Sequence, residues 1–205
     1  MADFNFHVPG RTDGEVYVDK QICVHGDHHI HDRIAVTIAP NTGVLDKGTI
    51  LGASTADSLY RPVRRSALTA AVGTAATTAT VTDGSIFANS IGAAAALVKA
   101  DGTGVVTCGT ITAVNGNTVT ISAPGTAFVI GDFLYVKDGS EKALLILGDF
   151  VPDAASNKIA NAFVAGKFYQ SQLVGVDAFV TKDLVARSIP FGLNAAGQNE
   201  SIYLV

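Results

Sequence analysis

Four of the five histidines fall within seven residues, at His25, His28, His29 and His31, and imidazoles at this density are the chain's clearest candidates for chemistry. On an extended strand successive side chains alternate faces, so His29 and His31 share one face and can offer two neutral imidazoles to a metal. His25, Asp27 or Asp32 could complete a tetrahedral shell, or one histidine from each of three subunits could meet on a symmetry axis. A catalytic metal site normally draws a further ligand from elsewhere, and no histidine follows His31. The cluster is therefore expected to be the polar tip of a hairpin, with no metal and no cofactor.

Other reactive patterns do not occur. G-x-S-x-G, G-x-x-x-x-G-K-[ST], G-x-G-x-x-G and C-x-x-C are all missing. The acids are scattered singly, and the Asp-Gly steps beginning at Asp13, Asp83, Asp101 and Asp138 read as hairpin turns rather than general acids. The chain is thus not expected to be an enzyme. A net charge of −4 argues against nucleic acid as a partner, since phosphate binding needs clustered Lys and Arg. The brief basic group Arg61, Arg64 and Arg65 reads as a solvated hinge. No apolar run approaches the ~18 residues that cross a bilayer, and the start MADFNFHVPGRTDG has no secretion-signal pattern. Cys23 and Cys108 stand far apart and are expected to be two small buried thiols without a disulfide.

The elements that must position these residues read as mainly β, with one short helix. Residues 1–14 place Phe4, Phe6 and Val8 on one face of a period-two pattern, which suits an extended arm able to add a strand to a partner's sheet edge. A half-buried strand over 15–24 and the alternating Ile34, Val36 and Ile38 form the expected hairpin around the histidines. The stretch 40–52, PNTGVLDKGTILG, delivers a short apolar strand, and its natural partner is the equally apolar KALLILG at 142–148. Runs this short, bounded by turn residues, read as strands buried on both faces.

Everything between them looks inserted. The expected organisation is an arm at 1–14, a discontinuous β core from 15–65 and 140–205, and an inserted small antiparallel barrel or sandwich of about five or six strands at 66–139. Within the insert, Ile91-Gly92 with Leu97-Val98-Lys99 recurs approximately as Ile130-Gly131 with Leu134-Tyr135-Val136-Lys137. Asn115-Gly116, flanked by alternating Val, Ile and Thr, is the clearest hairpin signal, because a type I′ turn needs φ > 0 at both central residues. The Ala-rich stretch 92–99 reads either as strand or as two helical turns. After the return strand, further strands are expected at 160–168 and 172–176. A helix is expected over 181–187, with Thr181 as N-cap, Asp183 in the first turn and Arg187 in the last, and a final strand over 201–205. An Ala-, Thr- and Gly-rich core of small side chains removes little apolar area per residue, which favours an oligomer.

The order GVLDKGTILG, KALLILGDFV, NAFVAGKFYQSQLV and TKDLVARSIPFG resembles the lambda-type head decoration proteins of tailed bacteriophages. The resemblance covers roughly residues 1–60 and 141–205 and is carried by structural glycines and apolar positions; the insert and the histidine tip depart from the family pattern. It implies a decoration-type β core and a trimer on the outer surface of a virion. There it would act as a cement that binds major capsid proteins and holds the shell against packaged DNA, without nucleic-acid or membrane contact of its own. Phe4, Phe6 and Val8 would then be the capsid contacts. A host- or carbohydrate-binding fibre module is the alternative; sugar stacking would fall to Phe87, Phe128, Phe133 or Tyr135 of the insert. A metal-dependent enzyme built on the histidines is the third reading.

Overall fold

The two apolar stretches at 40–52 and 142–148 become hydrogen-bonded neighbours in the computed structural model, which describes residues 22–23, 33–186 and 202–204. Strand β2 (Ile50–Ala53) pairs antiparallel with Leu145–Leu147, matching Leu51 to Leu145 and Ile50 to Ile146. With β1 (Arg33–Ile38), β3 (Tyr60–Pro62) and Lys158–Phe163 they close a five-stranded barrel. β1 runs antiparallel to Lys158–Phe163 and closes the barrel by a parallel step from Ile38 to Tyr60.

The uninterrupted apolar runs have a simple cause. Leu51, Leu145 and Leu147 join Val36, Ile38, Ala160 and Ala162 in one buried cluster. Ile50 and Ile146 point the other way, into a second cluster with Phe163, Phe168, Val180 and Leu184. Each strand therefore has an apolar layer on both faces, and alternation of polarity disappears. Gly52 is required by the tightness of this packing, since a Cβ there would lie 2.6 Å from the Lys142 carbonyl oxygen and closer still to that of Ser140.

Between β3 and the return strand lie β4 (Arg65–Ala67), β5 (Thr78–Thr80), β6 (Ala94–Val98), β7 (Val106–Thr110), β8 (Ala113–Asn115), β9 (Thr118–Thr120) and β10 (Phe133–Val136). These seven strands exceed the five or six expected. They form a four-stranded sheet, β4-β10-β6-β7, and a three-stranded one, β5-β9-β8, all antiparallel. The two sheets share one buried cluster, whose fully buried members all lie between Leu68 and Val136.

Residues 94–98 are strand despite their alanines, because Ala95 and Leu97 enter this cluster while Ala96 and Val98 pack on Tyr135 on the opposite face. Burial on both sides overrides the helical preference. The approximate repeat places like residues opposite each other: Leu97 and Leu134 are register partners across β6 and β10, and Gly92 and Gly131 precede them with φ of +89° and +91°. A local pseudo-two-fold axis thus passes between the two leucines.

The β8–β9 hairpin forms, but one residue later than expected. Asn115 pairs with Thr118, so the central residues are Gly116 and Asn117, and only Gly116 has positive φ (+56°). Positive φ at the first central position alone matches a type II′ turn rather than type I′. Of the described Asp-Gly steps, only the one at Asp101 sits in a hairpin loop, between β6 and β7. Asp83, Asp101 and Asp138 share another device: each Oδ1 accepts the backbone N–H two residues on, from Ser85, Thr103 and Ser140.

The later part of the barrel chain continues as β11 (Leu145–Leu147), β12 (Lys158–Phe163) and β13 (Gly166–Phe168), then helix α1 (Ala178–Ala186) and β14 (Ile202–Leu204), which runs parallel to β13. The strand expected at 172–176 is replaced by a 3-10 turn at Gln170–Gln172 and one parallel bridge from Thr49 to Val174. The Gln172 and Leu173 N–H groups are taken by Tyr169 and Gln170 carbonyls, which curls the chain out of a ladder. α1 begins three residues earlier than the expected start at Thr181. Its cap is Asp177, whose Oδ1 accepts the Val180 N–H at 2.7 Å, and Asp183 receives the Ala143 N–H instead of serving the first turn.

Candidate functional site

The arm residues Phe4, Phe6 and Val8 and the histidines His25, His29 and His31 lie outside the described residues. Among the described residues no group of three His, Cys, Asp or Glu side chains is placed to hold a metal. Cys108 is buried and Cys23 half-buried, and neither forms a disulfide. Burial pushes both thiols above their ordinary pKa, which disfavours the thiolate form that nucleophilic chemistry requires. Phe87, Phe128 and Tyr135 are buried in the insert, so they offer no face for stacking on a ligand.

The polar groups that the fold does concentrate are the arginines of β3, β4 and the link between them, and the expectation of a solvated hinge is wrong for Arg64 and Arg65, while Arg61 stays partly exposed beside Asp57. Arg64 is only 8% exposed. Its Nη1 donates to the Asn89 carbonyl at 3.1 Å and to Ser90 Oγ at 2.6 Å, and its Nη2 to the Thr42 carbonyl at 2.9 Å. One guanidinium therefore ties a loop of the barrel to the 3-10 turn of the insert. Burial pulls its pKa down, an effect opposed by the nearby Asp138 carboxylate.

Arg65 points to the other side of the junction. Its Nη1 contacts both Asp177 oxygens at 3.1 and 3.3 Å, and its Nη2 donates to the Glu141 carbonyl at 2.7 Å. The guanidinium carbon lies 4.6 Å from the Phe179 ring centroid, and Phe179 meets Phe133 of β10 edge-on at 5.2 Å. Asp177 thus caps α1 and anchors the insert at once, which explains why the helix starts there. Arg61, further out, grips Asp57 through both carboxylate oxygens at 2.8 and 2.6 Å. Those hydrogen bonds hold the Asp57 carboxyl well below the usual carboxylate range.

This constellation can hold two bodies in register, because a planar guanidinium satisfies several carbonyls at once. Sequence reading missed it because residue type alone does not separate a buried arginine from a solvated one. The usable signal was position: the three arginines stand where the chain passes from one apolar core to another.

A second feature lies on the barrel flank. The stretch from Tyr169 to Val176 carries no charged side chain. Residues Gln170, Ser171, Leu173, Gly175 and Val176 line an open groove of about 620 Å³. Tyr169 and Val174 beside it are 36% and 42% exposed. Comparison with protein-family models, curated proteins and solved structures gives no match to this chain.

Proposed function

We propose that the protein is a structural virion component that decorates and stabilises the outside of a tailed-phage capsid, binding major capsid proteins as a trimer. The observation that carries this reading is the behaviour of the stretches behind the family resemblance. Residues 43–52 and 142–151 are register partners inside a closed barrel, joined by β2–β11 pairing and by the Leu45–Val151 bridge. Their glycines and apolar residues thus serve the barrel rather than a reaction. The paired arginines support the same reading, since a cement must transmit load between its parts without hinging. In this proposal each subunit's arm, with Phe4, Phe6 and Val8, is a contact to the shell. Three arms on one trimer raise avidity through effective concentration.

Burial of Phe87, Phe128 and Tyr135 weighs against the carbohydrate-reading alternative, because sugar stacking needs exposed rings. The test is quantitative peptide mass spectrometry on purified particles from the source. A copy number near that of the major capsid protein is the expected result. A handful of copies per particle would assign the chain to a tail or fibre, and absence from particles would overturn the proposal.

A further inference from the structure

Asn115-Gly116 is the one Asn-Gly step in the chain, and the fold sets it at the tip of the β8–β9 hairpin. Asn115 is exposed and closes β8, a three-residue strand at the edge of its sheet. An edge strand this short is held by few ladder bonds, so its end opens at small cost. Gly116 leaves the approach to its nitrogen clear, because it has no side chain and its N–H makes no hydrogen bond among the described residues. Each of the other asparagines is followed by a residue with a side chain, which crowds the same approach.

We propose that Asn115 is a site of spontaneous modification, with water as the co-reactant, that remodels this turn as the protein ages. The Gly116 nitrogen gives its proton to hydroxide and attacks Cγ of Asn115. A new C–N bond closes a five-membered imide, and the side-chain amide leaves as ammonia. Water then adds to one of the two imide carbonyls, and breaking that C–N bond leaves either aspartate or isoaspartate. The net change is one water consumed and one ammonia released, with no oxidant or reductant.

The surroundings give the change a consequence. Asn117, next along the turn, accepts the Val81 N–H on its carbonyl at 2.9 Å and the Gly84 N–H on its Oδ1 at 3.1 Å. Gly84 packs so closely that a Cβ there would lie 2.9 Å from the Asn117 Cα. Isoaspartate carries one extra carbon in the main chain, and a two-residue turn has no slack to absorb it. The turn must therefore shift against 81–84. Either product also places a carboxylate in an uncharged stretch, since no charged side chain lies between Asp101 and Asp132. The inference concerns the insert alone and does not depend on the capsid reading.

The test is to age the folded full chain at mildly alkaline pH and body temperature, then map its peptides with fragmentation that separates aspartate from isoaspartate. Chain unfolded in urea and the variant Asn115→Gln run alongside, the latter because glutamine closes its ring far more slowly. The expected result is conversion at 115 ahead of every other asparagine in the folded chain. The converted fraction should also exchange its Val81 and Gly84 amides faster, and aged Asn115→Gln should not. An Asn115 that stays intact in the folded chain while converting in urea would show that the hairpin shields it, and would overturn the proposal. Conversion spread evenly over the asparagines, or unchanged exchange at Val81 and Gly84 in the converted fraction, would overturn it as well.

Discussion

The barrel and the insert solve the burial problem in opposite ways. The barrel draws its core from both ends of the chain: Arg33 pairs with Phe163, and Leu51 with Leu145. The insert's fully buried core members all come from Leu68 to Val136. An unstructured loop of the insert's length would add to the entropic cost of closing the barrel. A folded insert whose ends meet at Arg65 and Tyr135 turns that long loop into a short one. The difference teaches that a folded insert eases the barrel's closure, while each body keeps a buried core of its own.

The sharpest way to break this contrast is to separate the parts. Residues 65–137 made alone are expected to give a cooperative thermal transition and protected amides, whereas 33–63 mixed with 142–186 should show neither. Next in size are core truncations. Phe163→Ala and Phe128→Ala should each cost about 3–5 kcal/mol. Hydrogen exchange separates them, because Phe128→Ala should accelerate exchange in 68–136 and leave β1 and β12 protected.

Arg64→Met should cost about 3 kcal/mol, since it leaves the Thr42 and Asn89 carbonyls and Ser90 Oγ without their donor. It should also split one calorimetric transition into two, as the barrel and insert lose their shared clasp. Asp177→Ala removes the α1 cap and the Arg65 contact and should lower stability by about 1–2 kcal/mol, read from denaturant midpoints.

The smallest effect concerns acid. The Asp57 carboxyl is depressed in the folded state by Arg61, so its contribution is complete above the ordinary carboxylate range and is lost as pH falls through the folded value. Thermal midpoints of the parent and of Asp57→Asn should therefore converge below about pH 4, where the free carboxyl begins to protonate. A difference that grew on acidification would contradict the assignment.

Much of the barrel was legible because two of its strands, β2 and β11, are buried on both faces. Ile50-Leu51 and Leu145-Ile146-Leu147 announce themselves as short continuous apolar runs, and their equally apolar character marked them as partners. The hairpin at 113–120 was legible in kind but not in register, since Asn-Gly and Gly-Asn both satisfy a two-residue turn and the flanking strands decided between them. The helix start was misplaced because Thr181 and Asp177 are both capable caps, and only the fold shows that Arg65 holds Asp177 in place. The junction was illegible for a related reason. A guanidinium bonded to carbonyls at Thr42 and Asn89 leaves no pattern in sequence, because backbone acceptors are the same at every position. The arm and the histidine cluster fall outside the described residues, so their sequence readings stand as expectations.

The seam between the two bodies has a practical side. β4 and β10 leave the barrel as adjacent antiparallel strands, with Arg65 opposite Tyr135 and the Val136 N–H bonded to the Arg64 carbonyl at 3.1 Å. Paired residues in such a ladder have Cα atoms only about 5 Å apart. Any folded cargo whose own termini are that close could be grafted there in place of residues 66–134, keeping Arg65 on Asp177 and Glu141 and supplying Arg64 with acceptors in place of Asn89 and Ser90. The same seam that couples the two cores is thus a socket, through which the barrel can carry passengers of foreign origin at a fixed orientation.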